Sequence, residues 1–285
     1  MHADELDITV ELVASLVDAQ FPAWRGLPLS RVDSYGTDNA LFRLGDDLVV
    51  RLPRVEGAVE GALREYEWLP RIAPHVPVDV PAPAGRGAAT TDYPWPWFVY
   101  GWIEGGNPDV PDLDLLADGL AEFISAMRRI DARGAPQSWR GKPLATQTGA
   151  MHQWLAQQDE TVDTDAALRV WERAVGAEPW TGPPVWFHGD LLRGNLLIRE
   201  RRLVGVIDFA TAGAGDPAID LLPAWSLFDG ASRERFRNAV GVNDAMWERS
   251  RGWAVMLALG AVAYYRETNE LLYSTGRRAL DSLLD

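Results

Sequence analysis

The segment with the clearest chemical potential is Trp186-Phe187-His188-Gly189-Asp190-Leu191-Leu192-Arg193-Gly194-Asn195-Leu196-Leu197-Ile198. Apolar residues lead in, a tight polar loop follows, and apolar residues lead out. A loop between two strands that holds His, Asp, Arg and Asn has the make-up of an active-site loop. Downstream, the apolar run Leu203-Val204-Gly205-Val206-Ile207 ends on Asp208. An acid at the end of a buried strand is costly unless it is paired or binds a metal. A metal-dependent hydrolase could use His188, Asp190 and Asp208. However, the other histidines, His2, His75 and His152, form no recognisable metal-ligand spacing. A serine hydrolase is disfavoured because no Gly-x-Ser-x-Gly occurs.

The rest of the chain must position these groups. Residues 6–19 carry apolar residues at helical spacing, residues 31–35 suggest a strand, and Gly36-Thr37-Asp38-Asn39 suggests a turn. Residues 40–44 and 48–52 flank Gly45-Asp46-Asp47, a hairpin signal. A helix is expected over 58–72, with Pro70 closing it early. Residues 74–83 hold four prolines and should be extended. A strand over 98–103 precedes the breaker cluster Glu104-Gly105-Gly106-Asn107-Pro108. The remainder reads as helices over 113–130, 150–157, 165–175, 216–228, 244–267 and 271–284, around a strand-like island at 185–209. A mixed first lobe, residues 1–103, thus precedes a mainly helical second lobe, residues 104–285.

Composition narrows the function. The 285 residues include no cysteine, which excludes disulfides, thiolate catalysis and Cys-based metal sites. The N-terminal residues, with Asp4, Glu5 and Asp7 and no basic run, do not resemble a signal peptide. The apolar stretch 253–265, bounded by Arg251 and Arg266, is too short to span a bilayer. A cytoplasmic protein with no membrane partner is expected. The net charge of −14 disfavours nucleic acid and would attract a cationic small molecule.

The pattern His188-Gly189-Asp190-x-x-x-x-Asn195 followed by Ile207-Asp208-Phe209 resembles the aminoglycoside phosphotransferase family, relatives of the protein kinases. The trailing Gly215-Asp216-Pro217-Ala218-Ile219-Asp220-Leu221 is also similar to these small-molecule kinases. The resemblance covers nearly the whole chain. It implies an α+β, bilobal, protein-kinase-like fold, with a small mixed β-sheet N-lobe and a larger, mainly helical C-lobe. It also implies transfer of a phosphoryl group from ATP or GTP to a hydroxyl. Asp190 would orient the hydroxyl and take its proton, and Asn195 and Asp208 would hold Mg2+. Arg193 would counter charge on the phosphoryl oxygens or form a loop salt bridge. His188 would brace the loop. Asp216, a good N-cap before Pro217, and Asp220 would support it.

In the first lobe Arg51 stands where kinases carry a phosphate-holding lysine, with Glu65 as its expected partner and Glu67 as the fallback. The turn ending at Asn39 would cover the phosphates, although it lacks the full Gly-x-Gly-x-x-Gly pattern. Backbone groups near Tyr100 and Trp102 would meet the purine. The helical insert 111–180 and the last helices would line the acceptor pocket, with Glu267, Asn269 and Glu270 as candidate contacts. The acceptor classes so implied are antibiotics, favoured here partly because acidic balance suits a polyamine, and metabolites of choline, homoserine or sugar type. A non-catalytic nucleotide-binding homologue is the remaining alternative. The sequence is silent on oligomeric state.

Overall fold

The computed structural model describes residues 6–34 and 36–284. In the first part, helix α1 (Val10–Gln20) is followed by strands β1 (Leu29–Arg31), β2 (Asn39–Leu44) and β3 (Leu48–Pro53). Helix α2 (Val59–Ile72) and strands β4 (Pro83–Gly87) and β5 (Trp97–Gly101) complete it. The five strands form one sheet in the order β1-β2-β3-β5-β4. Every pairing in it is antiparallel, so the expected mixed sheet is corrected to an antiparallel one. The hairpin β2–β3 pairs Leu41 with Arg51 and Phe42 with Val50. The two-residue periodicity of strands then sorts the side chains. Phe42, Val50 and Leu52 pack with Val13, Leu16 and Val17 of α1, whereas Leu41, Val49 and Arg51 face an open cleft.

The second part contains α3 (Ala117–Arg129), α4 (Thr148–Leu155), α5 (Thr164–Gly176), β6 (Val185–Phe187), β7 (Leu196–Arg199), β8 (Arg202–Val206) and β9 (Gly213–Gly215). Helices α6 (Pro223–Ser226), α7 (Gly230–Val240), α8 (Asp244–Tyr265) and α9 (Glu270–Leu284) follow. The larger core takes in these helices and also Leu69 and Ile72 of α2 and Phe98 and Tyr100 of β5. Apolar burial of this kind is the main favourable term in folding. The apolar stretch bounded by Arg251 and Arg266 lies in α8, and no helix of the described residues is long and apolar enough to cross a membrane.

Several expected elements are corrected. The first strand lies at Leu29–Arg31, earlier than 31–35, whose last residue, Tyr35, is outside the described residues, as are Asp4 and Glu5. Pro70 does not stop α2. It sits in the last turn, where a missing N–H costs only one intrahelical bond. The helix expected over 216–228 is a short 3-10 turn, Pro217–Leu221, and the one-turn α6, because Pro223 interrupts the hydrogen-bond ladder. Helix α7 is an addition to the expected elements, and its capping box, Asp229 with Ser232, marks its start.

The β7–β8 hairpin carries the chemistry at its open end. Gly106 exchanges two backbone hydrogen bonds with Ile198 on one edge, at 3.0 and 2.7 Å. On the other edge Asp79, from the proline-rich connection, bonds Val204 and Val206 at 2.9 and 3.0 Å. Asn195 precedes β7 and Asp208 follows β8, so this clamped hairpin fixes the two side by side.

Candidate active site

The loop from His188 to Asn195 is held from below. Asp220, only 1% exposed, accepts from the backbone N–H of His188 at 2.9 Å and of Gly189 at 2.7 Å. Burial pushes its carboxyl above the ordinary value. His188 is fully buried: Nδ1 accepts from the Asp190 N–H and Nε2 donates to the Ile207 carbonyl, both at 3.1 Å. Its ring packs on Phe209, with centroids 4.5 Å apart. Both nitrogens are spent on backbone groups, one in the loop and one at Ile207, so His188 is a brace. Gly189 adopts φ +84°, and an added Cβ there would meet Thr211 Oγ1 at 3.1 Å, which explains glycine at this position.

Asp190 faces the cleft with both carboxylate oxygens held. Oδ1 pairs with Arg140, which also donates to the Gly189 carbonyl. Oδ2 accepts from Asn195 Nδ2 at 2.9 Å. Asn195 also donates to the Asp190 carbonyl at 2.9 Å. Asn107 Nδ2 supports the loop from the side, donating to the carbonyls of Gly194 and Leu196 at 2.9 Å each. Nothing in the sequence pattern marks Arg140 or Asn107. Asn107 lies in a breaker cluster, and Ser138-Trp139-Arg140-Gly141 has no pattern that separates it from an ordinary loop.

Across the cleft, Arg51 joins both parts of the molecule. Its Nη1 lies 2.6 and 2.7 Å from the two Glu65 oxygens, and its Nη2 lies 2.8 Å from Asp208 Oδ1. With its amide oxygen turned toward the guanidinium, Asn39 accepts from Arg51 Nη2 at 3.0 Å. Glu65 is 1% exposed and also accepts from the Phe209 N–H at 2.7 Å, closing the network beside Asp208. Glu67 is exposed. Burial pushes the Glu65 carboxyl up against the pull of Arg51. Burial opposes the Arg51 charge, but Glu65 and Asp208 outweigh it and hold the guanidinium above its ordinary value. Asp208 is also desolvated, yet Arg51 brings its carboxyl below the usual range. Asp208 sits at φ +65°, an uncommon left-handed conformation for a non-glycine residue that aims its carboxylate into the cleft.

Asn195 and Asp208 suit magnesium in donor chemistry. Asn195 spends its amide nitrogen on Asp190, which leaves its carbonyl oxygen as the end available to a cation. The Asp208 side chain is 35% exposed to the cleft. Hard oxygen donors of this kind, few in number, fit an ion that is otherwise held by waters and phosphates. Among the described residues no group of three or more His, Cys, Asp or Glu could form an all-protein metal cage.

The other expected contacts are placed differently. Arg193 turns from the cleft: Nε donates to the Pro108 carbonyl at 2.5 Å and Nη2 pairs with Asp109 at 3.1 Å. This arrangement corrects the expectation that it meets phosphoryl oxygens and matches the loop salt bridge. Asp216 caps Ala218 at 3.0 Å and pairs with Arg249 at 2.6 and 3.0 Å, away from Asp190. The Trp102 N–H is taken by the Asp47 carbonyl at 2.7 Å, so it is not offered to a purine. Tyr100 lines the cleft from β5; its phenol is buried beside Glu65, and burial pushes it up. Glu267, Asn269 and Glu270 do not line the cleft. Tyr264 and Tyr265, one turn earlier, do.

These features share one cleft of about 1070 Å³, lined by the sheet, the loop bearing Asp190 and helices α4, α8 and α9. An antiparallel five-stranded sheet over a helical body, with Asp, Asn and Asp on clamped loops between them, defines a kinase-like phosphotransferase architecture. The chain belongs to the phosphotransferase enzyme family, whose model matches residues 31–258. It is similar to the Escherichia coli aminoglycoside 3'-phosphotransferase, at 29% identity over 138 residues. That match covers 46% of this chain and 51% of the relative, about half its length. Among solved structures, a GDP and kanamycin complex of an APH(2") enzyme superposes with a TM-score of 0.74 at 21% identity, covering 94% of this chain and 97% of that one. Macrolide 2'-phosphotransferase MphH from Brachybacterium faecium gives 0.64 at 22% identity, covering 96% and 97%.

Proposed function

We propose that the chain transfers the γ-phosphoryl group of ATP or GTP to a hydroxyl of a small-molecule antibiotic of aminoglycoside or macrolide type. The observation that carries this reading is the convergence of Asp190, Asn195 and Asp208 on one cleft, opposite the buried Arg51–Glu65 pair. Residues 1–103 form the nucleotide-binding lobe, and residues 104–285 the catalytic and acceptor lobe. Asp190 accepts a hydrogen bond from the acceptor hydroxyl and takes its proton as the new O–P bond forms and the bond from the γ-phosphorus to the β-phosphate oxygen breaks, releasing the nucleoside diphosphate. Phosphoryl transfer needs in-line geometry and charge neutralisation more than covalent help, so a rigid, doubly held carboxylate suits it. Arg51 gives the phosphates a fixed cation that Glu65 orients. Magnesium, held by Asn195 and Asp208, would neutralise the phosphate oxygens. A cytoplasmic site, where nucleoside triphosphates are available, follows from this reading.

The test is incubation with ATP or GTP and a panel of antibiotic and metabolite alcohols, read by mass spectrometry. A phosphorylated antibiotic is expected. Nucleotide binding without transfer to any acceptor would leave a non-catalytic homologue, and gain on choline, homoserine or a sugar alone would leave a metabolite kinase.

A further inference from the structure

The acceptor side of the cleft differs chemically from the rest of it. The wall beside Asp190 is built by α4, α8 and α9 and includes Trp154, Leu257, Tyr264, Tyr265 and Leu272. No charged side chain from these three helices lines it. Three uncharged polar side chains of the cleft bond within the chain: Gln147 donates to Thr146, Ser226 to the Leu222 carbonyl, and Thr275 to the Leu271 carbonyl. Two of the large apolar side chains exposed on the molecule, Trp139 (45%) and Tyr264 (41%), lie in this cleft. The cavity also reaches the protein interior between α8 and α9, since Met256 (1% exposed) and Ala279 (4%) line it.

The cation next to Asp190 is fixed. Arg140 lies on the strap 136–141, which Gly141 and Gly215 allow to approach β9 closely. A Cβ on Gly215 would fall 2.3 Å from the Gly141 carbonyl oxygen. The Asp216 N–H bonds that same carbonyl at 3.0 Å, and the Ala214 N–H bonds the Pro136 carbonyl at 3.2 Å. Arg140 therefore stands at the point where an acceptor hydroxyl must arrive, with its side chain 15% exposed. Of the remaining carboxylates of the cleft, Asp208 follows β8 and pairs with Arg51, and the others lie on α2 and on the connection before β2. Glu60 pairs with Arg64, Glu65 with Arg51, and Asp38 accepts from Thr37; Asp33 lies on the connection to β2. Asp38 approaches the acceptor wall, because Thr37 Oγ1 lies 3.5 Å from the Tyr265 hydroxyl.

From this arrangement we infer that the acceptor is a bulky, mainly apolar alcohol carrying at most one cationic group, and that Arg140 both positions Asp190 and discriminates against polyamines. The inference rests on the phosphotransferase reading of the same cleft. Moving an ammonium group onto a wall without carboxylates costs its hydration and returns only a contact with an aromatic face, and a polyamine incurs that cost repeatedly. A single amine can share Asp38. An apolar macrocycle gains by covering the exposed aromatic rings and entering the recess. The chain's acidic balance does not bear on this choice, because its surplus carboxylates are not on the acceptor wall.

The test separates binding from chemistry. Binding of erythromycin, a macrocyclic lactone with one amine, and of kanamycin, a polyamine, is measured by isothermal titration calorimetry on the nucleotide-loaded full chain. Phosphorylation is followed separately by mass spectrometry. Erythromycin is expected to bind at least about tenfold more tightly than kanamycin. Equal affinities, tighter kanamycin, or no erythromycin binding would overturn the inference. Erythromycin binding without phosphoryl gain on any acceptor would instead strike at the phosphotransferase reading. Arg140→Glu is expected to narrow the preference about tenfold by improving kanamycin binding, with Arg140→Gln as an intermediate that avoids charge reversal. An unchanged preference in both variants removes Arg140 from selection. For positioning, Arg140→Gln should lower kcat with nucleotide Kd unchanged, and Arg140→Lys should restore part of it; kcat equal to the parent in both overturns that role.

Discussion

The two walls of the cleft are made of opposite materials. On the side of the sheet and the loop bearing Asp190, buried and half-buried charges hold one another: Arg51 with Glu65 and Asp208, Arg140 with Asp190. On the side of α4, α8 and α9 the lining is mainly apolar and carries no charged side chain. Buried charge demands specific partners at fixed spacing, because an unpaired one is costly. An apolar surface demands only volume and shape, which many sequences can supply. On the proposed reading the charged wall would do the same chemistry on any acceptor, whereas the apolar wall would decide which acceptor arrives.

If that division of labour is right, the largest losses come from the charged wall. Asp208→Ala should remove the main carboxylate available to magnesium and leave the Arg51 network short of one acceptor. Turnover should fall by several kcal/mol in barrier, about a thousandfold or more. Initial rates with magnesium and in excess chelator check this, and full activity in chelator would remove the ion from the scheme. Asp190→Asn should lower turnover by about 100- to 10,000-fold while nucleotide affinity holds, because a general base contacts the hydroxyl and not the nucleotide. Arg140 keeps its bond to the Gly189 carbonyl in that variant, so the loop has a reason to stay in place. Turnover equal to the parent would take Asp190 out of the role.

The same contrast explains what the sequence made legible. His188, Asp190, Asn195 and Asp208 could be found because a catalytic loop confines them to a short segment with fixed spacing. Arg51 was reachable through the resemblance, which places a phosphate-holding cation on this strand, and Glu65 because Leu69 and Ile72 follow it at helical spacing. Arg140 was not, since its contact with Asp190 spans 50 positions and depends on glycine approaches that no periodicity announces. The β7–β8 turn, Glu200-Arg201, was equally hidden: both residues adopt positive φ without the Asn-Gly signal such turns favour. The acceptor contacts sought at Glu267, Asn269 and Glu270 followed the assumption that acidic residues meet a cationic ligand. The helix instead presents Tyr264 and Tyr265, a surface whose apolar character carries no motif.

Arg51 sharpens the comparison at an intermediate level. Its removal should weaken nucleotide binding and turnover together by about 1.5–3 kcal/mol, the range for a charge-assisted contact. Glu65 would be left buried without its cation, so folding must be checked alongside by thermal unfolding. Arg51→Lys should recover part of the loss, since lysine supplies charge without the planar fork. An unchanged nucleotide dissociation constant in folded Arg51→Ala would move the phosphate-holding role elsewhere, with Arg54 the nearest cation in the chain.

The smallest effect is expected at Arg193, and its size decides where the charged wall ends. Arg193 is in the same loop as Asp190, yet its guanidinium meets Pro108 and Asp109 on the side away from the cleft. Its partner Asp109 is 85% exposed, so the pair is solvated and screened by salt. Such pairs contribute about 0–1 kcal/mol. Arg193→Ala should therefore change stability by no more than that. Turnover should fall less than about fivefold, through slight loosening of the loop, with nucleotide affinity unaffected. Asn107 keeps its two hydrogen bonds to the carbonyls of Gly194 and Leu196 and limits the loosening. Were Arg193 to swing in and stabilise the transferring phosphoryl group, its loss would cost far more, as removal of an arginine finger does, by about a thousandfold or more. Steady-state rates for the parent and Arg193→Ala at saturating nucleotide separate the two: a loss of that size would extend the charged wall to Arg193 and require the loop to rearrange when substrates bind.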